Sequence, residues 1–67
     1  MTLHWFDGLT SSLKQETVKD ADHGRKRAAA VQRWAEWVEL DDDEGIRVQT
    51  WDRVPGANPA WWTARTA

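Results

Sequence analysis

Two histidines, a pair of serines and an acidic run are the side chains of this 67-residue chain with reactive potential. His4 stands three positions before Asp7, and His23 comes directly after Asp22, but neither histidine has a second ligand at the short spacings that hold a metal ion. Ser11 and Ser12 lack the Gly-x-Ser-x-Gly setting of an activated nucleophile and read as helix caps. The glycines do not cluster into a phosphate-cradling loop. The run Asp41-Asp42-Asp43-Glu44 lacks the spaced oxygen ligands of a calcium loop and reads as a solvated turn. No cysteine is present, which removes disulfides and Cys-based zinc sites. A single small domain over residues 1–67 with no chemistry-bearing motif is expected to be non-enzymatic, with no catalytic residues, no metal and no cofactor.

What the chain does concentrate is tryptophan and arginine. There are 6 Trp against 1 Phe and no Tyr, so indole rings carry most of the large apolar surface. Each ring can bury roughly 150 to 250 Å², and a domain near the lower size limit for a self-sufficient core has little room to hide them all. A net charge of −2 and a pI of about 5.5 argue against a general polyanion binder, whose footprint is basic. Arginine outnumbers lysine and alanine is common, the pattern of GC-rich coding, which points to a bacterium or phage. The start, "MTLHWFDG", has no basic stretch leading into an apolar one, and no segment is long enough to span a bilayer. A cytoplasmic protein with no membrane association is expected.

Those side chains need elements to position them. Ser12 with Gln15 three residues on resembles a capping box and predicts a helical segment from Ser12 to about Ala30, continued by "RKRAAAV". "VQRWAEWVEL" fits a helix by composition, but basic residues 25–27 before it and acidic residues 41–44 after it both oppose the helix dipole. As a strand it pairs better with the segment beginning at Ile46. With "DDDEG" as a hairpin loop and Gly45 left-handed, Leu40 faces Ile46, Val38 faces Val48 and Glu39 faces Arg47. "IRVQTWDRV" alternates as a strand should. Asn58-Pro59 is a good start for a short terminal helix, yet about two turns without a cap are marginal, so "AWWTARTA" is read as a strand. The expected fold is α+β: the helical segment packed on one face of a three-stranded antiparallel meander, strands 33–40, 46–54 and 60–66, with residues 2–6 as a candidate fourth.

Alternation then divides the strands into two faces. Val38, Leu40, Ile46, Val48, Thr50, Val54, Ala60, Trp62 and Ala64 fall on the core side, with Trp34 at its edge. Arg33, Trp37, Glu39, Arg47, Gln49, Trp51, Arg53, Trp61, Thr63 and Arg65 fall on the other. Clustered tryptophan and arginine are enriched at binding hot spots, so the expected site is a partner-binding face of Trp37, Trp51, Trp61, Arg47, Arg53 and Arg65. Its expected partner is another protein or a second copy of the chain, which suits a small accessory regulator or inhibitor. Stacking of single-stranded nucleic acid on the same aromatics is the alternative, opposed by the acidic run. The fragment "AWWT", Ala60 to Thr63, resembles the C-terminal signature of small bacterial chitin-binding modules and would imply sugar binding. The resemblance covers four residues, and the tyrosines those modules carry upstream are missing here.

Overall fold

In the computed structural model, which describes residues 1–54 and 62–66, one helix lies across a five-stranded antiparallel sheet. The elements in chain order are β1 (Thr2–Asp7), β2 (Ser12–Thr17), α1 (Ala21–Val31), β3 (Ala35–Asp41), β4 (Arg47–Arg53) and β5 (Trp62–Thr66). Across the sheet the order is β2-β1-β3-β4-β5. The α+β class and the β3-β4-β5 meander agree with expectation; β1 is the candidate fourth strand, and β2 makes the sheet five-stranded where three or four strands were expected. β2 corrects the sequence-based assignment: Ser12–Thr17 is a strand, paired along its whole length with β1.

The helix begins later than the Ser12 signal suggests because a better cap lies downstream. Asp20, in an extended conformation, accepts a hydrogen bond from the His23 amide at 2.8 Å, while His23 Nδ1 accepts one from the Lys19 amide at 2.9 Å. The pair satisfies two amides reciprocally, as a capping box does. The buried positions of α1 are Gly24, Ala28 and Val31, a narrow stripe of small residues that lets the helix lie close to the sheet. At Gly24 the approach is closest: a Cβ there would meet Leu40 Cδ1 at 2.8 Å. Arg27 ties the helix to β2 through a forked pair with Glu16, at 2.7 and 3.1 Å. The guanidinium's hydrogen bonds hold the Glu16 carboxyl below its ordinary pKa, against a smaller opposing effect of desolvation.

The β1–β2 turn is built around Asp7, whose carboxylate is buried and accepts from the Leu9 and Thr10 amides at 2.8 and 3.2 Å. Gly8 donates to the Trp34 carbonyl at 2.8 Å, and a Cβ on it would stand 3.0 Å from that oxygen. This glycine is where the turn rests against the entry to β3.

The core consists of Leu3, Trp5, Val18, Ala28, Val31, Ala35, Val38, Leu40 and Trp51, with Met1, Val48 and Trp62 packed partly buried against it. Trp62 thus lies on the core side, as alternation places it. Trp51 does not lie where expected. It is 7% exposed and sits opposite Val38 on the helix-covered side.

The reason is a bulge. The β3–β4 loop closes one residue further out than expected, with Asp41 opposite Arg47. Asp42 organises it: its carboxylate accepts from the Glu44 and Ile46 amides, both at 2.9 Å, and Gly45 takes φ +82°. That change alone would leave every β4 side chain on its expected face. The register then shifts between Leu40 and Asp41, where Val48 is the extra residue, so Leu40 faces Gln49 and Val38 faces Trp51. One inserted residue reverses the parity of the rest of β4. Gln49 and Arg53 accordingly go with Trp51 to the helix side, where Gln49 accepts from Arg25 Nε at 3.2 Å. Thr50 turns to the opposite side, and Ile46 and Val54, expected in the core, are exposed. Ala60 lies outside the described residues.

Two substitutions test this packing. A domain of this length holds in total roughly 3 to 10 kcal/mol, and Trp51→Ala should remove about 3 to 5 kcal/mol of it, seen as loss of a cooperative thermal transition near room temperature. Gly24→Ala should lower the melting temperature although it improves helix propensity by about 1 kcal/mol, because the added methyl forces Leu40 aside. A raised melting temperature for that variant would show that the helix seat has slack.

Candidate functional site

The side of the sheet away from α1 is not covered by any of the described elements. Alternation and register assign its occupants row by row. The first row runs Leu13, Phe6, Trp37, Asp52, Thr63 across all five strands. The second runs Gln15, His4, Glu39, Thr50, Arg65. The third brings Thr17, Thr2 and Asp41 together with Arg47.

The first row is apolar where β2, β1 and β3 meet. Phe6 and Trp37 are directly opposed and half-buried, and Leu13 beside them is 72% exposed. Aromatic residues directly opposed on adjacent strands typically contribute roughly 0.5 to 1.5 kcal/mol beyond their area. A second bulge sets this up. The register shifts between Phe6 and Asp7, leaving Glu36 as the extra residue of β3. Ala35 is thereby turned into the core while Trp37, two residues on, faces outward.

The second and third rows carry charge. Arg47 donates to Asp41 through Nε at 2.5 Å and to Glu39 through a terminal nitrogen. The hydrogen bond to Asp41 first, and the nearby Glu39 charge with it, hold the guanidinium still more firmly protonated than usual, outweighing its partial desolvation. His4 Nε2 lies 3.2 Å from the other Asp41 oxygen. A depression of about 270 Å³ opens between the rows, lined by His4, Leu13, Gln15, Trp37 and Glu39, with Lys14 of the edge strand at its rim. It is shallow and built from one sheet face. Among the described residues no group of His, Asp and Glu is arranged to hold a metal ion.

Of the residues singled out from sequence, Trp37, Arg47 and Arg65 come together on this face. Trp51 is a core residue, and Arg53 stands on the helix side opposite Trp62. Trp61 lies outside the described residues. Phe6, Leu13 and His4 were not anticipated. The alternation of "TLHWFD", with Leu3 and Trp5 inward and His4 and Phe6 outward, is the signal that marks two of them. Leu13 was hidden by the helical assignment of residues 12–17.

No protein-family model matches the chain, and no curated protein or solved structure matches it. Arg47 is about as exposed as a surface ion pair, so Arg47→Ala should cost under about 1 kcal/mol, a melting shift of a few degrees. A much larger loss would mean that Asp41 and Glu39 depend on it to remain on this face.

Proposed function

We propose that the chain is a non-catalytic interaction module that binds another protein through the uncovered face of its sheet. Trp37, flanked by Phe6 and Leu13, is the anchor; Arg47 and Arg65 lend polar selectivity at its border. One observation carries this: a contiguous aromatic and aliphatic row on a sheet face, bordered by charged groups. Apolar patches of that kind are typically recognition surfaces, and tryptophan at the centre of such a patch is the residue type most often found as a hot spot.

The electrostatics favour a protein over a polyanion. Glu39, Asp41 and Asp52 share the face with the aromatics, and Arg47 is occupied by two of those carboxylates. A phosphate backbone crossing the sheet would meet more carboxylate than free guanidinium, which costs the affinity that single-strand binders draw from their basic grooves. Among the described residues no helix is long and apolar enough to cross a membrane. A small accessory regulator or inhibitor of bacterial or phage origin is the kind of protein this reading suggests.

The decisive experiment uses a protein recovered by affinity capture from the encoding organism and then purified. Its binding to the wild type should weaken at least tenfold with Trp37→Ala, the loss expected of a hot spot, while the melting temperature moves by only a few degrees. Arg53→Ala, on the opposite side, should leave binding unchanged. Binding that survives Trp37→Ala and fails with Arg53→Ala would move the site to the helix side. Tryptophan fluorescence quenched by a single-stranded oligonucleotide, with affinity falling as salt rises, would replace the protein partner with nucleic acid.

A further inference from the structure

The sheet ends on one side at β2, and among the described residues nothing pairs with its outer edge. Val18 donates to the Met1 carbonyl at 2.9 Å, which fixes Met1 and Val18 as a hydrogen-bonded pair of the β1–β2 ladder. In an antiparallel ladder such pairs alternate with non-bonded ones. Glu16, Lys14 and Ser12 therefore direct their amides and carbonyls toward β1. Thr17, Gln15 and Leu13 direct theirs outward. The edge has no proline and no bulge, and its six residues pair with β1 without a break.

We propose that this edge pairs with the same edge of a second copy, antiparallel about a two-fold axis normal to the sheet at Gln15. The residues themselves select the register. Only outward-directed residues can bond across the seam, so odd positions must face odd positions. Centring the axis on Gln15 pairs Gln15 with its own copy and Leu13 with Thr17 of the other chain, using every outward amide and carbonyl of the strand. The non-bonded positions between them, where side chains approach most closely, then hold Lys14 opposite Glu16 of the other chain, twice. Sliding the seam one step either way places Lys14 against Lys14 or Glu16 against Glu16, and like charges directly opposed are destabilising. The longest overlap and the complementary charge pattern thus agree on one register.

Glu16 already holds Arg27, but an ionised carboxylate has about four acceptor sites, two of which the guanidinium uses. Lys14 from the second chain completes it. In the pair, the two helices lie on one side of a continuous sheet and the two apolar rows on the other. Leu13, strongly exposed in the single chain, comes to lie across from a threonine at the seam. The pairing stands independently of any partner for the open face. Its contact is short compared with the roughly 1,200 Å² or more that stable complexes bury, so the dimer is weak and concentration-dependent.

Analytical ultracentrifugation over a concentration series should show the mass rising from the 7.7 kDa chain toward that of two copies. Gln15→Pro removes an outward amide at the axis without touching the β1 ladder, and should hold the chain monomeric with a nearly unchanged melting temperature. Lys14→Glu gives an edge with only carboxylates and Glu16→Lys an edge with only ammonium groups at these positions. Each should be monomeric alone and keep a cooperative melting transition, at a lower temperature for Glu16→Lys because it loses its pair with Arg27, and an equimolar mixture of the two folded chains should form a heterodimer. In a mixed-label sample of the wild type, an intermolecular contact between the Hα atoms of Lys14 and Glu16 should appear in nuclear Overhauser spectra. Trp37→Ala should leave the dimer intact. A chain monomeric to millimolar concentration, a dimer that persists in Gln15→Pro, or charge variants that do not associate when mixed would each overturn the pairing.

Discussion

One helix of eleven residues has to supply the second layer for a five-stranded sheet, and it can cover only one side. Every large apolar side chain must therefore either reach that side or remain open to whatever lies outside. The outcome turns on single extra residues. Val48 in β4 sends Trp51 inward to stand beside Val38, whose other neighbour in the row is Trp5. Without that insertion Trp51 would sit next to Trp37, the core would lose one of its two largest members, and the open face would gain a ring with nothing to cover it. For a domain with only a few kcal/mol of net stability, the position of one indole decides whether it folds. Trp5 contributes its ring at some cost, since its Nε1 has no acceptor among the described residues, and an unmade hydrogen bond of this kind costs roughly 1 to 3 kcal/mol.

The helix fits because its contact stripe is small. Gly24 and Ala28 allow the backbone to approach the sheet so that Leu40 and Val18 fill the gap beneath it. The reciprocal Asp20–His23 cap sets where the helix starts, and the Glu16–Arg27 fork sets its distance from the sheet edge. The residues from 12 to 17 are thereby released to form an edge strand. That strand widens the sheet on the side where Phe6 and Leu13 emerge, so the choice of helix start and the existence of the apolar row have one cause.

Sequence made the class of the fold legible, together with the β3-β4-β5 meander, the left-handed Gly45 and the inward direction of Trp62. It also found Trp37, Arg47 and Arg65 on one face. Trp51 and Arg53 were misplaced because parity holds only along an unbroken ladder, and a bulge leaves no mark in the hydrophobic pattern of "RVQTWDR". Arg47 reached its expected face because it precedes the bulge; Trp51 did not because it lies beyond it. The Ser12–Gln15 spacing resembled a cap, yet the segment behind it has only Leu13, Val18 and Ala21 to offer a helix stripe, whereas pairing with β1 satisfies its backbone directly. Asp20, with histidine three residues later in place of the usual glutamate or glutamine, is a cap that standard spacing rules do not flag.

The open face also shows why counting arginines misjudges a surface. Arg47 adds a positive charge to the composition, but on the protein it is bracketed by Asp41 and Glu39, with His4 against the far oxygen of Asp41. What faces outward there is a set of charges already paired within the chain, which meets a ligand as a hydrated ion cluster more than as free cations. Arg65, in the same row as Glu39 but two strands away, belongs to no ion pair among the described residues. The proposed binding would draw its selectivity from a split: an apolar end at β2, β1 and β3 that rewards desolvation, and a charged end at β3 and β4 that penalises any partner unable to replace water around paired ions. A partner surface with a hydrophobic projection and polar groups set beside it meets both demands, and a uniformly charged chain meets neither.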